Sequence, residues 1–187
     1  MMNGEIKVWD PAVRVFHWLL VVGFFAAYFT EDELQDLHVW AGYLVFGLIV
    51  FRLLWGLIGT RHARFGDFVR GPATVLRYLG LVLTLRAPRH LGHNPAGGAM
   101  ILILLLMLMV ATVSGMALYG GDAWAGPLAG VMRGVDEEIV EALEEIHELS
   151  ANFTVVLVVF HVLGVLWESL LHHENLVKAM FTGRKRA

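Results

Sequence analysis

Four long apolar stretches constrain the fold of this 187-residue chain more than any other feature. One of them, residues 99–119, carries no charged side chain, and the others lie at about 12–30, 38–58 and 147–171. A helix needs about 20 mainly apolar residues to cross a bilayer, and each stretch is near that length. The sequence therefore predicts one all-α membrane domain, residues 1–187, built as a bundle of four transmembrane helices.

The first stretch could be confused with a secretory signal peptide, but its flanks argue against cleavage. Glu5 and Asp10 precede it, and the acidic residues 30–33 follow it in place of a small-residue cleavage site. Asp10 followed by Pro11 instead predicts a helix N-cap and the first helical residue. We therefore expect a retained helix at this end of the chain.

The charges of the connections predict the orientation. Six arginines lie in residues 59–98 and the C-terminal tail is basic, whereas residues 30–37 and 120–150 are mainly acidic. Because cytoplasmic loops of membrane proteins carry the excess of Lys and Arg, both chain ends should face the cytoplasm. We expect a multi-pass protein of the bacterial cytoplasmic (inner) membrane, N-in and C-in.

Two connections also contain helical patterns. Residues 72–85 are apolar, too short to span and flanked by arginines, which predicts an interfacial helix in the cytoplasmic loop. In residues 136–149 apolar side chains recur at helical spacing among glutamates. This pattern predicts an amphipathic outer extension that continues into the fourth span, and it could form a docking face for a basic redox partner or simply a solvated face.

Four histidines fall within the spans or at their ends. His147 and His161 are fourteen residues apart, so on one helix they share a face and are separated by about 21 Å along its axis. The predicted topology sets His161 toward the same side as His17, which we call the inner pair, and His147 level with His38, the outer pair. The inner pair has a height mismatch of several ångströms, which an ordinary helix tilt of about 20° can absorb. The third span has no histidine, so we expect it to pack against the other helices without binding a metal.

Imidazoles near both membrane faces could hold two stacked haems. The chain has no cysteine, which excludes iron–sulfur clusters ligated by cysteine and covalent haem attachment. A single histidine in a membrane could instead form a hydrogen bond between helices, but ionisable groups are costly there and usually functional. The four histidines form two pairs, and the members of each pair lie at a similar height in the membrane. This arrangement favours their role as haem-iron ligands: His17, His38, His147 and His161.

Glycines and arginines near these histidines agree with that prediction. Gly42 and Gly164 lie about one turn after a histidine of the second and the fourth span, where they could admit a flat macrocycle or allow close helix packing. Arg14 and Arg52 lie near the inner face, where they could pair with haem propionates or snorkel to lipid headgroups.

The remaining histidines lie in connections and are expected at the surface: His62, His90, His93, His172 and His173. His93 and Asn94, in the segment GHNP, have polar groups suited to a quinone carbonyl or a haem propionate. The interpretation we favour is that Asn94 and Pro95 cap and start the third spanning helix.

Several motifs together resemble a known family. They are VWDPAVRVFHW, HVWAGYLVFGLIVFRLLWG, RFGDF, GHNPAGGAM and HELSANFTVVLVVFHVLGV, followed by ENLVKAMFTGRKR. The chain resembles the bacterial cytochrome b561 family, and most closely the b-type cytochrome subunits of membrane-bound nickel–iron hydrogenases. The resemblance implies a two-haem electron carrier whose ligand positions fall on the same four histidines.

We therefore expect a b-type cytochrome with two bis-histidine haems, which acts as an electron-transfer protein or as a subunit of an oxidoreductase complex. It should pass electrons between the quinone pool and a periplasmic c-type cytochrome or hydrogenase-like subunit. Its other contacts should be membrane lipid, with no nucleic acid. One alternative is a superoxide:quinone oxidoreductase that acts without a protein partner. Another is a transporter or metal-ion carrier that uses the same histidines.

Overall fold

The computed structural model describes residues 4–31 and 34–187, so Asp32 and Glu33 of the acidic connection lie outside the described residues. The described helices and strands follow one another in this order: β1 Glu5–Lys7, α1 Pro11–Tyr28, α2 Gln35–Ile58, a 3₁₀ turn Arg61–Ala63, α3 Phe65–Phe68, α4 Pro72–Leu83, α5 Pro95–Asp122, α6 Ala129–Met132, α7 Glu137–Leu171, α8 Leu176–Thr182 and β2 Arg184–Arg186.

Helices α1, α2, α5 and α7 are long and apolar enough to cross a membrane, which confirms the four predicted spans. Helix α7 is continuous for 35 residues, so the amphipathic segment does run into the fourth span. The short helix predicted between the second and third spans is α4, which begins at Pro72 as expected and ends at Leu83.

Local capping explains where two of the spans begin. The backbone N–H of Val13 donates to Asp10 Oδ1 at 3.0 Å, directly before Pro11. The N–H of Gly97 donates to Asn94 Oδ1 at 2.7 Å, directly before Pro95. In both cases the cap satisfies a backbone donor at the helix start, and proline has no N–H there to lose. The capping interpretation of Asn94 is therefore confirmed.

The described chain divides into two compact units. The first contains residues 4–18, 51–103 and 157–187. Its strands β1 and β2 pair antiparallel, with Ile6 opposite Lys185, and so join the two ends of the chain. These strands were not predicted, because they are three residues long and pair between opposite ends of the sequence. The side chain of Lys185 is buried and lies 3.2 Å from Glu174.

The second unit contains residues 19–31, 34–50 and 104–156. Ile49 and Thr154 are almost completely buried in it. Thr154 satisfies its hydroxyl by donating to the carbonyl of Ser150 at 2.8 Å, so it adds no unpaired polar group to the core. Tyr28 donates to Asn152 at 2.7 Å, which links α1 to α7 within this unit.

Candidate functional site

The outer pair of histidines meets within the second unit. The ring centroids of His38 on α2 and His147 on α7 are 5.8 Å apart, and the two rings are nearly perpendicular at 82°. Two metal–nitrogen bonds of about 2 Å and the two ring radii give a centroid separation of roughly 6 Å. The observed spacing therefore fits two imidazoles on opposite sides of one metal ion.

Backbone carbonyls hold both rings of the outer pair. His38 Nδ1 lies 2.9 Å from the oxygen of Ala27, and His147 Nδ1 lies 2.8 Å from the oxygen of Ala111. A carbonyl only accepts, so each Nδ1 carries the proton and each Nε2 keeps a free lone pair. A hydrogen bond of this kind orients most metal-binding histidines in proteins.

A cavity of about 80 Å³ lies beside this pair. It is lined mostly by apolar side chains, and Gly42 and Gly115 also lie in its wall. A Cβ atom added to Gly42 would meet nothing within 4 Å, so this glycine leaves open space beside His38.

Helix α5 has a larger role than the predicted packing. Besides the Ala111 carbonyl it contributes Gly115, where an added Cβ atom would lie 2.7 Å from His147 Cε1. The helix thus orients and closely contacts a candidate ligand although it has no histidine. The signal in the sequence was Ala111-x-x-x-Gly115, a pair of small residues one turn apart in the second half of the span.

The inner pair lies within the first unit, where His17 and His161 are close enough to interact electrostatically. His17 Nδ1 is buried and has no hydrogen-bond partner among the described residues. Other side chains of this unit are in the same situation. Their unpartnered buried atoms are Arg14 Nε, Trp18 Nε1, Arg52 Nη1, His93 Nδ1 and His172 Nε2.

Arg52 is the most informative of these residues, because its side chain is 97% buried and does not snorkel to the surface. Its guanidinium lies 4.9 Å from the ring centre of Phe65 and 5.9 Å from that of Phe68. Within the described part of the chain it forms no ion pair with a carboxylate. A buried charge is costly without a partner, so this position suits an anionic group of a bound cofactor.

Arg14 supports the same arrangement from α1. Its Nη1 donates to the carbonyl of Thr182 at 3.2 Å, which holds the side chain in place, while its Nε stays free. Gly164 on α7 has open space around an added Cβ atom. This set of residues fits a haem: the two imidazoles could bind the iron, the two arginines could pair with the acidic propionates, and the glycine leaves space for the ring.

Of the five remaining histidines, which were expected at the surface, His173 is exposed and the other four are half-buried. His93 packs between the rings of Trp9 and Phe68, with centroids 4.5 Å and 4.7 Å away. Burial, together with the charges of Arg52 and Lys185, lowers the pKa of His93 to about 3, so this ring is neutral. Contacts between distant segments, invisible in a linear pattern, produce this burial.

Comparison with known proteins agrees with these features. A model of the family described as "Prokaryotic cytochrome b561" matches residues 8–183. A probable Ni/Fe-hydrogenase B-type cytochrome subunit of Cupriavidus necator is 27% identical, over 94% of this chain and 85% of that protein. Proteins with the same description from Rhizobium leguminosarum bv. viciae and Azotobacter vinelandii are 24% and 26% identical, over 97% and 95% of this chain and 89% and 87% of theirs.

No solved structure matches the chain. The family match covers nearly the whole length and confirms the resemblance found in the sequence motifs. The four spans, the paired histidines and this match lead to one conclusion: the chain belongs to the prokaryotic cytochrome b561 family of membrane-bound b-type haem cytochromes.

Proposed function

We propose that this protein is a di-haem cytochrome that passes electrons between the quinone pool and a redox protein on the periplasmic side. The observation that carries the proposal is the outer pair, whose Nδ1 atoms are held by backbone carbonyls at 2.9 and 2.8 Å while both Nε2 atoms stay free. The inner pair repeats the arrangement of one histidine from α7 and one from another span.

A bound b-type haem supplies one-electron chemistry at its iron. His38 with His147, and His17 with His161, would each hold one haem iron by two imidazoles, and such a site would not bind oxygen. Arg14 and Arg52 would pair with the propionates of the inner haem, and their positive charge would favour its reduced state. The apolar wall of the outer cavity excludes water, which helps to set the potential there.

Both chain ends are proposed to face the cytoplasm. Strands β1 and β2 pair, so the two ends lie on the same side, and the connections with most arginines belong to the same unit. Helix α4 exposes Leu76, Leu79 and Leu83, with 68%, 42% and 84% of their surface accessible. Such a face suits a helix that lies in the membrane interface.

The partner is proposed from the relatives, several of which are described as cytochrome subunits of Ni/Fe-hydrogenases. A hydrogenase-like subunit is therefore the proposed redox partner, with a periplasmic c-type cytochrome as the alternative. Rapid haem reduction by superoxide, with no protein partner present, would favour the superoxide:quinone oxidoreductase instead.

The ligand assignment is tested by single alanine substitutions, with haem counted per chain in the purified protein. His38→Ala and His147→Ala should each remove the same haem, and His17→Ala and His161→Ala should each remove the other. Redox titration identifies which haem is lost, and His173→Ala at an exposed position is the control. If any of the four variants keeps two low-spin haems, the assignment of that histidine is wrong.

A further inference from the structure

A glutamate occupies an unusual place near the C-terminal end of the fourth span. Glu168 follows His161 by seven residues of α7, so the two side chains leave nearly the same face of the helix, about 10 Å apart along its axis. The carboxylate side chain is only 14% exposed. Ionisable groups in membrane helices are costly and usually have a function, and the proposed electron transfer does not use this one.

Two side chains surround the carboxylate closely. The hydroxyl of Tyr78, on α4, lies 3.1 Å from Glu168 Oε1 and 3.3 Å from Oε2, and it donates to them. His172, in the turn directly after α7, places its Nε2 3.1 Å from Oε2, which is within ion-pair distance although the geometry is not that of a hydrogen bond. Burial, and then the charge of Glu168, raise the pKa of Tyr78 well above its usual value, so the hydroxyl stays a donor.

Three titratable groups of the described residues face Glu168. They are Tyr78 from α4, His172 from the turn after α7 and Lys185 from β2. Lys185 is engaged with a different acid, because its Nζ lies 3.2 Å from Glu174. Within the described ranges, the basic group in ion-pair contact with Glu168 is therefore the imidazole of His172 and not a lysine or an arginine.

His172 also connects the carboxylate to the aqueous side. It lies in the short turn after α7, next to the exposed His173, and its side chain is 14% exposed. An imidazole can accept a proton at one nitrogen and release one from the other. From the turn toward the middle of α7, the order along the chain is therefore His172, then Glu168, then the helix face that carries His161.

We infer that Glu168 binds one proton when the inner haem is reduced, with His172 as the proton donor on the aqueous side and Tyr78 as the fixed hydrogen-bond donor. The inference rests on the proposed ligation of that haem by His161. On reduction of a haem held by His161, the electron would come from a quinol or from the redox partner, and one proton from the solvent would convert the Glu168 carboxylate to a carboxylic acid. His161 lies about two helical turns from Glu168, so the added negative charge would raise the proton affinity of this carboxylate.

Infrared difference spectra of the whole detergent-solubilised protein, reduced minus oxidised, test the inference. Wild-type protein should gain a carboxylic-acid carbonyl band on reduction, and the band should shift in D₂O. Glu168→Gln should lose this band while the visible spectrum still shows both haems. Glu144→Gln, at an exposed acid on the same helix, is the control and should retain it.

Tyr78→Phe provides an independent variant, because it keeps the carboxylate and removes only the hydroxyl that donates to it. The band should remain in this variant but move in frequency. A band that persists in Glu168→Gln, or that does not move in Tyr78→Phe, overturns the inference, as does its absence from wild-type protein with two intact haems. A wild-type protein without the inner haem would instead refute the proposed function.

Discussion

Substituting Gly115 with alanine places a methyl group against the imidazole of His147. The new Cβ atom would lie 2.7 Å from Cε1 and 2.8 Å from Nδ1 of that ring. Ordinary contacts between such atoms are about 3.5–4.0 Å, so the ring must move away from α5 by about 0.7 Å. The Ala111 carbonyl that holds Nδ1 at 2.8 Å is on the same helix, one turn earlier. The same movement stretches this hydrogen bond to about 3.5 Å, beyond its normal range.

The two effects add in the same direction. Crowding a well-packed site costs about 1–3 kcal/mol, and losing the group that orients a metal ligand typically lowers affinity about 10–100-fold. We therefore expect Gly115→Ala to weaken binding of the outer haem by at least about tenfold. Replacing a helical glycine by alanine also favours the helix by up to about 1 kcal/mol, which works against this effect.

The assay counts haems per chain over a series of haem concentrations and follows each haem by redox titration. Gly47→Ala is the matched control, because Gly47 is exposed on α2 and an added Cβ atom there meets nothing within 4 Å. The control should bind two haems like the wild type, while Gly115→Ala should lose the outer haem first. If Gly115→Ala kept two haems and the wild-type outer potential, α5 would not position His147 as described.

Two further substitutions test the first unit. Arg52→Gln should lower the midpoint potential of the inner haem only, because it removes a positive charge that favours the reduced state. A unit charge at a distance of about 10 Å and an effective dielectric constant of about 20 contributes about 1.7 kcal/mol. An unchanged midpoint potential of the inner haem in redox titration would contradict the placement of Arg52. Asp10→Ala should cost about 1–2 kcal/mol in thermal unfolding at pH 7, because it removes the cap of α1. Although burial acts to raise the pKa of Asp10, hydrogen bonds, the largest from Thr60, hold it below the usual value. The contribution is therefore complete above the unfolded pKa of about 4 and is lost as the pH falls through the lower folded pKa. Wild type and variant should converge once the pH is below the folded pKa of Asp10, and a constant difference would refute this account.

Hydropathy along the chain was sufficient to predict the four spans, because crossing a bilayer sets a length and an apolar composition that a linear sequence displays directly. The starts of α1 and α5 were predictable for a similar reason, since Asp10 and Asn94 satisfy backbone donors only three residues ahead. The spacing of His147 and His161 also followed from helix geometry alone. Whether the four histidines bind haem stays a prediction.

Tertiary structure decided the features that depend on contacts between distant residues. It paired β1 with β2 from opposite ends of the chain, and it buried His93 between Trp9 and Phe68. It also directed His147 to a carbonyl of α5, 36 residues earlier, and left Arg52 buried without a carboxylate partner among the described residues. A sequence pattern reports the face and height of a residue on its own helix. The neighbouring atoms on other segments depend on how the helices pack, which no local pattern contains.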